Sequence, residues 1–224
     1  MQIAESDIRT SEVLKWKGVH LLHYELSSCS QKVRILMGEL GIDYTSHPVN
    51  LRRDEQRTDW YLGINPRGLV PVLVHDGAVH IESNDIIEYL GRQFAEKGSS
   101  FLPIVDAESQ RMRELMSLKD QLHADLRTVT STYLAPDPSD HAPTPPAADL
   151  GYIGRFHHAC SRLNEQLHDQ PYLLGERMTL ADISWFITLH RLGLAGAVCR
   201  RMNRLFGNSL PRDLQRWRSE QSFA

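Results

Sequence analysis

The residues whose types most readily support chemistry are three hydroxyls and a thiol in a row, Ser27-Ser28-Cys29-Ser30. A short apolar stretch precedes them and predicts a strand, and apolar residues at helical spacing follow them. Because the N-terminus of a helix has free N–H groups and the positive end of the helix dipole, this junction favours an anion, to which a Ser27 hydroxyl could donate. The alternative is that these serines only cap the helix, which contributes about 1 kcal/mol.

Cys29 is a second candidate for chemistry, because a thiol near the start of a helix ionises more readily and is then a nucleophile. The other cysteines, Cys160 and Cys199, fall on predicted helices and are interpreted as packing residues. The sequence has no CxxC pair, and its eleven histidines are scattered. We therefore predict neither a disulfide framework nor a metal site.

The elements that must position this cluster alternate between strand and helix patterns. Their predicted order is strand, helix, strand, helix, hairpin and helix, at residues 19–24, 31–41, 44–50, 54–64, 69–74 with 78–81, and 83–94. Gly41 suits a left-handed helix end, Asp76-Gly77 favours a tight hairpin turn, and Ser83 is expected to cap the last helix. This order predicts an α/β domain with a mixed four-stranded sheet, as in thioredoxin.

The second half of the chain has no convincing strand pattern. Helices are predicted at residues 106–133, 150–168, 180–194, 200–206 and 211–221. Five prolines within residues 136–148 predict an exposed loop, and residues 179–182 predict a capping box with no catalytic role. The expected organisation is an N-terminal extension at 1–18, an α/β domain at 19–95, a linker at 96–105 and an all-helical domain at 106–224.

Composition excludes several classes of function. The 224 residues are 41% hydrophobic and 24% charged, with a net charge of −3, which disfavours nucleic acid as a partner. No apolar run approaches the roughly 18 residues that span a bilayer, and residues 1–18 are too charged for a signal peptide. We therefore expect a cytoplasmic protein in a reducing compartment, with no membrane partner.

Five motifs occur in a fixed order along the chain: SSCSQKVR at 27–34, NPRGLVPVL at 65–73, ES at 82–83, IEYL at 87–90 and LGERMTLAD at 174–182. Together they resemble the successive signatures of glutathione transferases, and are most similar to the zeta class and to bacterial relatives that include β-etherases. The resemblance implies a thioredoxin-like domain that binds glutathione, followed by an all-helical domain that contributes to the second substrate's pocket. It also implies a homodimer.

The resemblance carries roles to particular residues. Ser27 would act as the catalytic hydroxyl on the glutathione sulfur, and a cis bond before Pro71 would expose the backbone of Val70 to the cysteinyl part of glutathione. Glu82 and Ser83 would bind the γ-glutamyl end. The complete set of implied glutathione-binding residues is Ser27, Ser28, Cys29, Gln56, Val70, Pro71, Glu82 and Ser83.

The implied activity is conjugation of the glutathione thiolate to small electrophilic, fairly apolar molecules. A glutathione-dependent lyase, isomerase or dehalogenase, a thiol transferase acting through Cys29, and a non-catalytic binding protein are the alternatives. Leu26 stands where zeta enzymes have an arginine, and Gln31 replaces their tryptophan. These two departures argue against isomerase activity on maleylacetoacetate.

Overall fold

The computed structural model describes residues 1–97, 100–133 and 147–198. It divides into two compact units, Met1–Leu102 and Pro103–Ala224. The described residues of the first unit form four strands and three α-helices: β1 Val19–His23, α1 Ser28–Glu39, β2 Thr45–Pro48, α2 Asp59–Leu62, β3 Val72–His75, β4 Ala78–His80 and α3 Ser83–Gln93. The described residues of the second unit form three helices: α4 Asp106–Tyr133, α5 Ala147–Gln166 and α6 Leu180–Val198. Among the described residues, no helix is both long and apolar enough to cross a membrane.

The four strands form one mixed sheet in the order β2-β1-β3-β4. β1 pairs parallel to β2, whereas the β1–β3 and β3–β4 pairs are antiparallel. The predicted fold class, a mixed four-stranded sheet followed by a helical region, is confirmed. Between β3 and β4, Asp76 and Gly77 both have positive φ (49° and 85°), as the predicted tight hairpin requires.

Helix α1 begins and ends with local capping interactions. Ser27 has extended backbone angles, and its side chain accepts a hydrogen bond from the Ser30 N–H. At the other end, Gly41 has a φ of 58°, and the N–H of Ile42 donates to the Met37 carbonyl at 2.9 Å. This is a Schellman arrangement, so the predicted end of the helix at Gly41 is confirmed.

Residues 1–18 pack against the sheet within the first unit. The N–H of Ile3 donates to the Val79 carbonyl at 2.9 Å, which extends the pairing beyond β4. Ile8 and Val13 are buried in the same apolar cluster as Leu22. This segment therefore covers part of the sheet and completes its core.

Two local predictions in the first unit are wrong. The helix expected at 54–64 is broken into 3-10 turns at Leu51–Arg53 and Glu55–Arg57 and the single turn of α2, because Asp54 takes left-handed backbone angles and Thr58 caps a new start. Ser83 is not the cap of α3 but its first residue. The N-cap is Glu82, whose φ of 64° is unusual for a residue with a side chain.

The second unit has the predicted long helix α4, and α5 and α6 match the predicted helices with bounds shifted by a few residues. The indole N–H of Trp185, which is buried in α6, donates to the Leu115 carbonyl of α4 at 2.9 Å. Of the loop predicted at 136–148, residues 136–146 lie outside the described residues. The helices predicted at 200–206 and 211–221 lie wholly outside them.

The predicted capping box at the start of α6 forms in a modified way. The Asp182 carboxylate accepts from the Thr179 N–H at 2.7 Å and from the Thr179 hydroxyl at 2.8 Å, and its other oxygen accepts from the Leu173 N–H at 2.8 Å. Thr179 therefore donates to the carboxylate rather than capping the Asp182 N–H. Burial raises the pKa of Asp182, although these hydrogen bonds oppose that shift.

Candidate functional site

The candidate residues converge at one edge of the sheet. Leu22, near the end of β1, pairs with Val72 at the start of β3, and Leu73 pairs with His80 at the end of β4. The carboxyl ends of β1 and β4 therefore share an edge with the amino end of β3. The segments that contain Ser27, Val70-Pro71 and Glu82-Ser83 leave or enter the sheet at this edge.

Ser27 is the residue of the first segment that is best suited to donate to a ligand. It is half-buried, and its Oγ accepts from the Ser30 N–H at 3.3 Å. The Ser27 hydroxyl hydrogen has no acceptor among the described residues. Ser28, in contrast, is buried, and Cys29 is half-buried. The cluster identified from the sequence therefore presents residues of unequal accessibility.

The turn between β1 and α1 is held by side chains of the helix it precedes. The carbonyl of Glu25 accepts from the Gln31 amide at 3.1 Å and from the Arg34 guanidinium at 2.9 Å. The Ser27 N–H donates to the Tyr24 carbonyl at 3.1 Å. Gln31, which replaces the tryptophan of zeta enzymes, thus helps to fix the backbone just before Ser27.

His23, at the end of β1, borders this turn. Its Nε2 lies 2.8 Å from the Ser46 hydroxyl, and its side chain is buried. Burial, with a smaller contribution from Arg34, lowers the pKa of His23 below its usual value of 6.5. A neutral His23 therefore adds no positive charge to the site at neutral pH.

The second segment presents unpaired peptide groups. The Val70–Pro71 bond is cis, as the resemblance implies. Among the described residues, neither the N–H nor the carbonyl of Val70 has a hydrogen-bond partner. The preceding carbonyl, that of Leu69, accepts from both the Tyr61 hydroxyl at 2.7 Å and the Asn65 amide at 2.8 Å. The backbone is thus held firmly at Leu69 and left open at Val70.

Sequence reasoning missed the supporting roles of Tyr61 and Asn65. The sequence pattern indicates only packing for Tyr61 and only a turn for Asn65. An asparagine before a proline in a turn is a usable signal, since its amide often bonds neighbouring peptide groups. No comparable signal marks the Tyr61 hydroxyl, because its partner lies eight residues away.

The third segment begins α3. The Glu82 carboxylate lies 2.5 Å from the Arg67 guanidinium, and both side chains are about half exposed. Ser83 is half-buried, and its hydroxyl has no partner among the described residues. Buried Lys32 of α1 donates to the Asn84 amide oxygen of α3, so the two helices that begin at this edge are joined.

Gln56 lies beside the second segment. Gly68 has a φ of 62°, which strains any other residue, and a Cβ there would lie in tight contact, 3.0 Å from the Gln56 carbonyl oxygen. The Gln56 amide nitrogen donates to Asp54 at 3.2 Å, and its amide oxygen is buried without a partner among the described residues. The backbone of Gln56 is therefore close to the turn, while its side chain is directed partly to Asp54.

The site's donors are hydroxyls and peptide N–H groups rather than metal ligands. Within the described ranges, no group of three or more His, Cys, Asp or Glu side chains is placed to hold a metal ion. Burial raises the pKa of the Cys160 thiol to about 12, so this cysteine stays protonated and fits the predicted packing role. The arrangement at the sheet edge can bind an extended peptide and an anion near Ser27.

Two family models match this chain. The family model described as "Glutathione S-transferase, N-terminal domain" matches residues 26–93, and the model described as "Glutathione S-transferase, C-terminal domain" matches residues 118–218. The N-terminal match spans every predicted glutathione-binding position, from Ser27 to Ser83. The two matches occur in the order expected for the two-part fold.

Three individual proteins define the relationship more closely. A maleylacetoacetate isomerase of Rhizobium meliloti is 32% identical over 73% of this chain and 76% of its own length. A maleylacetoacetate isomerase of Pseudomonas aeruginosa is 46% identical, but the match spans only 37% of that protein. The crystal structure of β-etherase LigF from Sphingobium sp. strain SYK-6 has a TM-score of 0.74 at 26% identity, covering 90% of this chain and 95% of that one.

The family models together match more than half of the chain, and the Rhizobium relative is similar over most of its length. The fold agrees with this match, since a mixed four-stranded sheet is followed by helices. Glutathione is accordingly the cosubstrate to be considered at the sheet edge. The chain belongs to the glutathione S-transferase family.

Proposed function

We propose that this chain is an enzyme that binds glutathione at the sheet edge and adds its thiolate to a small electrophilic, fairly apolar molecule. One observation carries the proposal: the strand register gathers Ser27, the unpaired peptide groups of Val70 and the start of α3 at the same edge. The Ser27 hydroxyl suits the sulfur of glutathione, the unpaired peptide groups of Val70 suit its cysteinyl backbone, and the start of α3 suits its γ-glutamyl end.

The chemical role of Ser27 follows from the thiol's acidity. A free cysteine thiol has a pKa of about 8.5, so most glutathione is protonated at neutral pH and is a poor nucleophile. A hydroxyl that donates to the sulfur stabilises the thiolate, and the N-terminal end of α1 adds to this effect. The free Ser27 hydroxyl hydrogen supports this role.

The remaining contacts orient the tripeptide. The N–H and carbonyl of Val70 would pair with the cysteinyl residue as a strand pairs with a sheet edge. The Ser83 hydroxyl and N–H would bind the γ-glutamyl carboxylate, and Glu82 would face the ammonium group. Ser28, Cys29, Pro71 and Gln56 complete the proposed binding set, with Gln56 toward the glycyl carboxylate.

A second candidate is a lyase, isomerase or dehalogenase reaction that starts from the same thiolate. The relatives named maleylacetoacetate isomerase and the β-etherase LigF favour this class. However, Leu26 is 47% exposed beside the site, where zeta enzymes have an arginine. An exposed apolar residue at this position favours a less polar second substrate than a dicarboxylate.

Three measurements test the proposal. Retention on immobilised glutathione establishes binding, and turnover is then followed for aromatic halides, aryl ethers and maleylacetoacetate. Loss of glutathione in equal amount to a thioether product indicates transfer of the thiolate, with halide or phenol released where the substrate carries such a leaving group, whereas an unchanged glutathione concentration indicates a reaction that regenerates it, such as isomerisation. Failure of the wild type to bind glutathione contradicts the proposal, and binding without turnover on any electrophile favours a non-catalytic binding protein.

Two variants assign the sulfur contact. Ser27→Ala should bind glutathione but lose turnover, and the matched Cys29→Ala should keep it. The reverse result would favour thiol-transferase chemistry through Cys29.

The proposed protein is a cytoplasmic homodimer. Sedimentation velocity would test the dimer, and cell fractionation would test the location.

A further inference from the structure

We infer that Asn65 is a positioning residue for glutathione, because its buried amide holds together the two segments proposed to bind the cysteinyl and γ-glutamyl parts. This inference deepens the proposed function and rests on it. Asn65 itself is only 2% exposed and lies in the turn before Val70, so the structure assigns it no direct contact with the ligand.

Both ends of the Asn65 side-chain amide are used within the turn. Its nitrogen donates to the Leu69 carbonyl at 2.8 Å, and its oxygen accepts from the Arg67 N–H at 3.1 Å. Its backbone also participates, since its N–H donates to the Tyr61 carbonyl and its own carbonyl accepts from the Gly68 N–H, each at 2.9 Å. Asn65 therefore defines the path of the chain from 67 to 69.

Side-chain packing does not hold the end of this turn. Leu69 is 53% exposed, and Pro66 and Arg67 are also exposed. The Leu69 carbonyl is instead held by two donors, the Asn65 amide and the Tyr61 hydroxyl. Because Val70 follows directly, the position of its free N–H and carbonyl depends on these two hydrogen bonds.

The Asn65 amide is also linked, through Arg67, to the segment that contains Glu82 and Ser83. Asn65 fixes the Arg67 backbone, and the Arg67 guanidinium lies 2.5 Å from the Glu82 carboxylate. Glu82 has a φ of 64° directly before Ser83, a backbone conformation that is rare for a residue with a side chain and needs support from its surroundings. One buried side chain is thus linked by hydrogen bonds to both proposed anchors of the tripeptide.

The expected consequence is a loss of affinity for glutathione with little change in the chemical step. Backbone hydrogen bonds weaken steeply with small displacements, and a pre-ordered site binds more tightly than one that must be ordered by its ligand. Asn65→Ala should therefore raise the Kd for glutathione about tenfold or more. Because Ser27 and α1 are untouched, kcat at saturating glutathione should change by only about twofold.

Two conservative variants separate the hydrogen bonds. Asn65→Asp keeps the side-chain shape and the acceptor for Arg67, but it replaces the donor to Leu69 with a buried carboxylate oxygen, so its Kd should rise at least as much as that of Asn65→Ala. Tyr61→Phe removes the other donor and keeps the ring, and it should have the smallest effect because the Asn65 amide remains. Ile64→Val, at the fully buried neighbouring position, is the control for a general loss of stability.

Calorimetric titration with glutathione, combined with thermal melting, decides the question. The inference is supported if Asn65→Ala and Asn65→Asp bind more weakly than Ile64→Val at comparable or higher stability. It is overturned if both variants bind within about twofold of wild type, or only as weakly as an equally destabilised Ile64→Val. If Asn65→Ala does not fold, Asn65→Asp and Tyr61→Phe decide between these outcomes. Failure of the wild type to bind glutathione contradicts the proposed function instead.

Discussion

The starts of α1 and α6 are both capped helix ends, but they differ in what is left unpaired. At α6, the Asp182 carboxylate accepts three hydrogen bonds, from the N–H and hydroxyl of Thr179 and from the N–H of Leu173, and the group is closed. At α1, Ser27 accepts one hydrogen bond, and its hydroxyl hydrogen has no acceptor in the part of the chain that the structure describes. A closed cap serves stability, whereas an open cap at the sheet edge can also bind a ligand.

The largest effect is expected from breaking the closed cap. Asp182→Ala would leave the buried N–H groups of Thr179 and Leu173 without their acceptor, which should lower the free energy of unfolding by about 3 kcal/mol. Urea unfolding measures this change, and Asp169→Ala, at an exposed position, is the control. A loss of less than about 1 kcal/mol would show that the cap is not the stabilising element we describe.

Removing the open cap at α1 should cost little stability but much activity. Ser27→Ala should cost only about 1 kcal/mol of stability, because it removes a single cap hydrogen bond. Its kcat/KM should fall by about 100-fold, since a donor to a developing or stabilised anion typically contributes that much. Steady-state kinetics and urea unfolding on the same preparation separate the two effects. Equal losses of activity and stability would remove the distinction between the caps.

His80 differs from both helix caps, because it is a buried polar side chain with one ring nitrogen that lacks a partner among the described residues. Its ring stacks on Tyr89 at 3.9 Å, and its Nε2 has no partner among the described residues. Burial is the main cause that lowers the pKa of His80 from 6.5 to about 4. The folded state therefore binds fewer protons than the unfolded state between these two values.

Stability from a neutral His80 is consequently complete above about pH 6.5 and is lost as the pH falls toward 4. We expect a loss of about 1 kcal/mol per pH unit in this window, measured by urea unfolding at pH 7.0, 6.0 and 5.0. His80→Phe keeps the stacked ring and should flatten this part of the curve. The exposed His168→Phe should leave the slope unchanged.

Local patterns predicted the elements whose ends are fixed by neighbouring residues. The Gly41 helix end and the Asp76-Gly77 hairpin are of this kind. The 54–64 helix failed because a periodic pattern does not show that Asp54 turns left-handed and that Thr58 begins a new turn. Propensity alone does not decide between one helix and several short turns.

For the site, motif order led to the edge of the sheet but not to what supports it. The contact between Tyr61 and the Leu69 carbonyl, and the ion pair of Arg67 with Glu82, depend on how separate segments meet. The docking of residues 1–18 is similar, since Ile8 and Val13 are buried against residues distant in the sequence. Such contacts exist only once the chain has folded, and a local pattern cannot specify them.

The smallest effect is expected at Cys29, the residue that shares the open cap with Ser27. Cys29 is half-buried in the first turn of α1, whereas Ser27 is the N-cap before that helix. The Ser27 hydroxyl is the proposed donor to the sulfur, so the thiol of Cys29 is not needed for that contact. Cys29→Ala should therefore change kcat/KM by less than about threefold, and mass spectrometry after incubation with glutathione disulfide should find no rapid adduct at this position. A rapid mixed disulfide together with lost activity would make the thiol, rather than the open hydroxyl, the reactive feature of this helix start.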